Sequence, residues 1–170
     1  FLVHIGYAAM LVGGVDLMEG SLLILPGGAL VAAGTCLDPA ARRFLAHRLW
    51  VLLLLAVGIG AMFGLSAFGG VGGKSGLSWA WALLVVPYVV GWPLGLLGPG
   101  VPRWVNYGGV IVGLWLLTLP VIMIFSVLQR PNATRPFLPL VMITVAALGL
   151  VVAIGCFRRL RARAVAPPAG

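Results

Sequence analysis

Long apolar runs, separated by short clusters of glycine, proline and basic residues, set the pattern of this chain. Four runs, 49–68, 79–98, 105–128 and 137–157, are each long enough to cross a hydrocarbon core of about 30 Å, which takes about 20 helical residues. Between them lie GGVGGKSGLS, PGVPR and QRPNATRP, all rich in turn formers. Connections this short force neighbouring helices to run antiparallel. Nothing alternates at period two, and an open sheet edge does not survive in lipid, so strands are excluded. The pattern predicts a single all-α membrane domain, a polytopic transmembrane helix bundle with four clear spanning helices.

The first 37 residues are nearly all apolar, too long for one crossing and short for two full ones. They are interrupted at Gly13-Gly14-Val15-Asp16 and again at Pro26-Gly27-Gly28. We read a broken helical hairpin of segments near 2–14 and 17–37, with a re-entrant pair as the alternative. Asp38-Pro39 is a helix-start signal, an N-cap followed by proline at the first helical position. The helix it opens, 38–48, carries AARRFLAHR along the interface before entering the membrane near Leu49. Phe1 in place of an initiator methionine suggests that a few residues precede it. The apolar start is too long, and lacks an A-x-A-like site, for a cleaved signal.

Composition agrees with this pattern. Hydrophobic residues make up 62% of the chain and charged ones 8%, with mean hydropathy +1.16, against about 25% charged in an average soluble domain. So few charges cannot cover a water-facing surface. The net charge of +8 could suggest nucleic acid, but the basic residues sit in short clusters between apolar runs, a mark of membrane topology. No nucleic-acid partner is therefore expected.

The positive-inside rule orients the chain. A cytoplasmic C-terminal tail (158–170) puts Arg158, Arg159, Arg161 and Arg163 inside with Arg103, Arg42, Arg43 and Arg48, and leaves Lys74, Arg130 and Arg135 outside. Arg42, Arg43, Arg48, Arg158, Arg159, Arg161 and Arg163 are the candidate contacts to anionic lipid headgroups. Trp79 and Trp81 then fall at the outer interface, Trp50 and Trp104 at the inner one. Arginine stands almost wherever a lysine could, a coding bias that suits a GC-rich bacterial genome and so the bacterial inner membrane.

The run DLMEGSLLILPGG, 16–28, holds two of the three carboxylates. Acids at membrane depth are expensive and commonly mark a proton or cation path, so Asp16 and Glu19 are candidates for that chemistry. Their spacing is also that of a capping box, with Asp16 at the N-cap and Glu19 reaching back from the first turn, both at the positive end of the helix dipole. The cap is preferred because it accounts for both residues without a ligand. Pro26, Gly27 and Gly28 are expected to break the helix that follows. Broken helices line substrate sites in transporters, but a kink that improves packing is the commoner use.

Small residues four apart recur: Gly60 with Gly64, preceded by Ala56; Gly91 with Gly95; Gly109 with Gly113; Gly149 with Ala153. Each lets a second helix come close, which matters where lipid removes the hydrophobic drive to associate. So many grooves exceed what one small bundle needs internally, and they point to a partner in the membrane.

Recognised chemistry is absent. GGVGGKSG lacks the first glycine of a phosphate loop, having Phe68 there, and sits between membrane helices rather than after a strand. His4 and His47 make no haem or zinc pattern, and Cys36 and Cys156 have no metal or redox spacing. Neither a catalytic residue nor a cofactor is expected, and no internal repeat supports an inverted-repeat transporter. Asn132-Ala133-Thr134 is a formal glycosylation sequon in a loop too short to hold it off the membrane.

DLMEGSLLILPGGALVAAGTCL resembles the opening of a group of small bacterial multi-pass membrane proteins of uncharacterised activity, which share a D-x-x-E-G-S-x-x-I-L-P-G-like segment. IGAMFGLSAFGGVGGKSG and WALLVVPYVVGW resemble the same group, so the likeness covers roughly the first 95 residues. It implies a multi-pass fold and carries no activity with it. Two functions are therefore carried forward. The first is a non-catalytic accessory or scaffold subunit of a larger energy-transducing or transport complex. The second is a small transporter or ion pathway through Asp16 and Glu19. An intramembrane enzyme acting on lipid ranks last, lacking a nucleophile–base pair.

Overall fold

The computed structural model describes residues 1–16, 19–67, 83–128 and 138–165. Among them the regular structure is helical: α1 Leu2–Gly13, α2 Ser21–Leu37, α3 Leu45–Ala67, α4 Val86–Leu96, α5 Arg103–Leu128 and α6 Leu138–Val165. Three stretches are long and apolar enough to cross a membrane: Arg42–Ala67, Arg103–Ile122 and Pro139–Ala162. In the best window of each, no more than 33% is buried inside the protein, so most of an apolar surface faces outward. That is the arrangement lipid favours. The expected crossing at 79–98 contains a helix only over Leu83–Leu96, residues 79–82 lying outside the described ones. The helices α1 and α2 have 12 and 17 residues, fewer than the about 20 that a full crossing takes.

The chain divides into two compact units, Phe1–Gly100 and Val101–Gly170. In the first, α1 lies antiparallel along α2, α2 packs on α3, and α3 on α4. Glycine makes these approaches possible. A Cβ added at Gly6 would lie 2.5 Å from the Gly27 carbonyl oxygen, and one at Gly34 would lie 2.7 Å from a Val3 methyl. At Gly58 it would collide with the backbone of Tyr88. Tyr7, Met10, Ile24, Leu55, Trp92 and Leu96 fill the interior of this unit.

Two expectations about this unit are corrected. The helix α2 runs through Pro26, Gly27 and Gly28 without a break. Proline removes a single donor, that owed to the Leu22 carbonyl, and packing on both sides holds the turn. Gly27 faces α1, where an added Cβ would stand 2.8 Å from the Gly6 carbonyl oxygen, and Gly28 faces Leu55 of α3. The glycines serve close packing rather than unwinding. The segment after Asp38 is also not one helix: its Oδ1 accepts from the Ala40 amide at 3.0 Å, closing a turn. A short 3-10 helix, Arg42–Phe44, follows before α3 begins at Leu45.

In the second unit α5 and α6 pack antiparallel along their lengths. Gly109 faces Cys156, and Gly113 faces Gly149 and Ala153. A Cβ at Gly113 would stand 2.7 Å from both the Ala153 nitrogen and the Gly149 carbonyl oxygen. Backbone atoms cannot swing aside as a side-chain tip can. Val105, Leu116 and Val152 complete the buried seam.

Gly113→Ala should therefore lower stability by about 1–3 kcal/mol through overpacking, whereas Gly60→Ala, with no described residue within 4 Å of its added methyl, should leave it unchanged. Thermal unfolding of the two variants in one detergent measures the contrast. Equal melting temperatures would remove the close α5–α6 contact from the account.

Candidate functional site

Polar groups of the first unit gather around the carboxyl end of α4 and around the turn between α1 and α2. The buried stripe of α3 starts at Arg48 and continues through Val51, Leu55, Gly58 and Ile59, a helical repeat that turns Arg48 inward. A side chain in the first turn of a helix leans back toward the N-terminus. Arg48 thereby reaches the carboxyl end of α4, where carbonyls have lost their helical donors and the dipole is negative. Its Nη2 donates to the Pro99 carbonyl oxygen at 2.8 Å. Nη1 donates to the Tyr7 hydroxyl, and the guanidinium lies 5.0 Å from the Tyr7 ring centroid. Neighbouring His47 places Nε2 3.3 Å from the Leu94 carbonyl oxygen. Gly100, with φ +70, lets the chain leave this end against the Phe44 ring.

Arg48 is 4% exposed. Its sequence position beside Arg42 and Arg43 suggested a headgroup contact, and the structure overturns that: Arg48 is an internal tie among α1, α3 and the end of α4. A charge so deep needs such hydrogen bonds to offset its desolvation. Arg42 and Arg43 do lie on the surface. Arg42 Nε donates to the Cys36 carbonyl oxygen at 3.2 Å, and Arg43 stacks 4.7 Å from the Phe44 ring centroid.

Midway along α1, Trp92 Nε1 donates to the Met10 carbonyl oxygen at 2.9 Å. At the far end, Asp16 Oδ1 accepts from the Glu19 amide at 3.2 Å, and the Asp16 carbonyl accepts from Gly20 at 2.8 Å. Asp16 therefore caps the turn that precedes α2, while the N-cap position of α2 itself belongs to Gly20. The capping hydrogen bond is present where the sequence placed it, but the helix itself starts one turn later, at Ser21. Asp16 also lies within electrostatic reach of the buried Tyr88 side chain.

The glycine grooves divide into filled and open ones. Gly91 packs on Leu54 of α3, Gly95 on Met10 and Val51, and Gly109 and Gly113 on α6. Among the described residues a Cβ added at Gly60 or Gly64 would meet nothing within 4 Å, and Ala56 on the same face of α3 is exposed too.

In the second unit Arg158 and Arg161 are exposed and Arg159 half-buried; Arg163 lies on α6 with its side chain outside the described ones. Asn106, which sequence reasoning passed over, is fully buried in the first turn of α5, its Oδ1 and Nδ2 without hydrogen-bond partners among the described residues. Its place on the stripe of Val105, Gly109, Val112 and Leu116 could have flagged it. Among the described residues no three His, Cys, Asp or Glu side chains gather to hold a metal. Comparison of the chain with protein-family models, curated proteins and solved structures finds no match.

Two stability measurements test these polar groups. Tyr7→Phe should cost about 1–2 kcal/mol in the parent, and markedly less in an Arg48→Met background, because the variants remove opposite ends of one hydrogen bond. Strict additivity in that cycle would sever the pair. Asn106→Leu should raise stability by about 1–3 kcal/mol, since an apolar side chain of similar size removes two unmet polar atoms. A lower melting temperature for Asn106→Leu would mean that the amide is satisfied in the native membrane.

Proposed function

We propose that this chain is a non-catalytic membrane accessory or scaffold subunit that packs against a larger energy-transducing or transport complex. On this reading it sits in the bacterial inner membrane with its C-terminus cytoplasmic. The helices α3, α5 and α6 cross the bilayer, and the shorter α1, α2 and α4 enter it, α1 and α2 as a hairpin. One observation carries the proposal: Ala56, Gly60 and Gly64 form a smooth stripe on α3 that nothing described in this chain fills. Helices gain little hydrophobic energy by meeting in lipid, so close backbone contact over small residues is a main source of association. The other glycine grooves are used internally, which makes the open one the natural seat for a helix of another subunit.

A second reading, a small proton or cation pathway, draws on Asp16 within electrostatic reach of the buried Tyr88. It competes with the plainer role of Asp16 as a turn cap. Flux into proteoliposomes that is unchanged by Asp16→Asn with Glu19→Gln would eliminate it.

For the leading proposal, the protein is extracted from its native membrane in a mild detergent and the mass of the particle measured. A particle heavier than the lone chain is expected. Gly60→Leu with Gly64→Leu should release the chain as a monomer without lowering its melting temperature. A lone monomer from the parent under every gentle condition would end the proposal.

A further inference from the structure

The second unit carries an unbalanced charge at one end. Residues 101–170 contain seven arginines and no aspartate or glutamate; all three carboxylates lie before residue 39. The antiparallel register of α5 and α6, read from Gly109 against Cys156 and Gly113 against Ala153, sets Arg103 level with the arginines near the end of α6. Positions more than fifty residues apart in sequence thus form one basic collar of Arg103, Arg158, Arg159 and Arg161. Arg103, Arg158 and Arg161 are exposed.

What lies just below the collar points to the ligand. Tyr107 is 60% exposed and Phe157 59%, with Trp104 beside them at 38%. Farther along the same helices exposed aliphatic side chains follow, Ile111 and Leu114 on α5 and Ile154 and Val151 on α6, with Trp115 43% exposed one turn beyond Ile111. Charge, then aromatic ring, then aliphatic surface is the order in which a phospholipid presents phosphate, glycerol backbone and acyl chain. A nucleic acid would need polar surface where this unit is apolar. The amino end of α5 adds the positive end of a 26-residue helix dipole to the arginines.

We propose that this collar is a binding site for an anionic phospholipid, its phosphate held between Arg103 and the α6 arginines and its chains lying along α5 and α6. The site rests on the chain being embedded in a membrane and is independent of the scaffold role. Its arginines act as hydrogen-bond donors and charges; no bond is made or broken.

The test uses the full chain in phosphatidylcholine vesicles doped with brominated phosphatidylglycerol or brominated phosphatidylcholine. Quenching of the Trp104 share of fluorescence, isolated with Trp104→Phe, reports which lipid occupies the collar. The anionic lipid should quench preferentially, and added salt should weaken the preference. Arg158→Gln with Arg161→Gln should reduce it about 25-fold, at about fivefold for each charge near the surface. Arg130→Gln with Arg135→Gln, which removes equal charge while keeping the collar arginines, should leave it intact. Equal quenching by both lipids overturns the proposal. So does displacement by dissolved glycerol phosphate, which would mark a soluble phosphate site, or by single-stranded DNA at a salt concentration that preserves the lipid preference. Failure to insert would overturn the membrane reading along with it, whereas insertion without preference overturns the lipid site alone.

Discussion

Close backbone contact between helices is the constraint on which the rest of this molecule depends. In water a helix pair is driven together by burying apolar side chains; in lipid that gain is largely lost, because the surrounding chains are as apolar as leucine. What remains is dispersion between surfaces that fit, together with a few polar ties. The chain meets this with glycines wherever two helices touch: Gly6 with Gly27, Gly58 at Tyr88, Gly113 at Gly149 and Ala153. Large side chains then point outward without penalty, and Ile111, Ile143 and Val121 are among the most exposed residues. The apparent inversion of inside and outside is the solution that lipid favours. It also makes an unfilled small-residue face informative, since the same kind of surface that holds the interior together is left open on one side of α3 by the described residues.

Polar groups supply direction where dispersion cannot. Arg48 is the clearest case, because it and its partners come from three separate segments. The Tyr7 hydroxyl lies on α1, the Pro99 carbonyl follows α4, and the arginine belongs to α3. Apolar packing alone would let helices slide along or rotate about one another at little cost. A buried cation that must keep both hydrogen bonds limits those movements, since losing either strands a charge. Trp92 plays a neutral version of the same part by donating to the Met10 carbonyl.

Much of the architecture was legible from periodicity and breakers. The runs at 49–68, 105–128 and 137–157 correspond to α3, α5 and α6, because an apolar stretch of that length with glycine- and proline-rich flanks has few alternatives. Finer features were not legible, for physical reasons. Pro26-Gly27-Gly28 reads locally as a breaker, yet contacts from α1 and α3 hold the helix through it; tertiary packing overrode a local preference. Arg48 was grouped with its neighbours by charge, although its place on the stripe of Val51 and Leu55 had already turned it inward. The Asp16 hydrogen bond to the Glu19 amide was legible and the start of the following helix was not, because α2 begins only at Ser21. The basic collar needed the antiparallel register, which no local pattern contains.

The central claim is that the open face of α3 is occupied in the native membrane by another protein. Placing a photo-crosslinking amino acid at Gly60 or Gly64 in cells, with Ile143 on α6 as a lipid-facing comparison, tests it most directly. Illumination of intact membranes should yield one discrete adduct with a second polypeptide from positions 60 and 64, and none from 143. No protein adduct from position 60 or 64, with the parent chain expressed at its native level, would contradict the account and return that face to lipid.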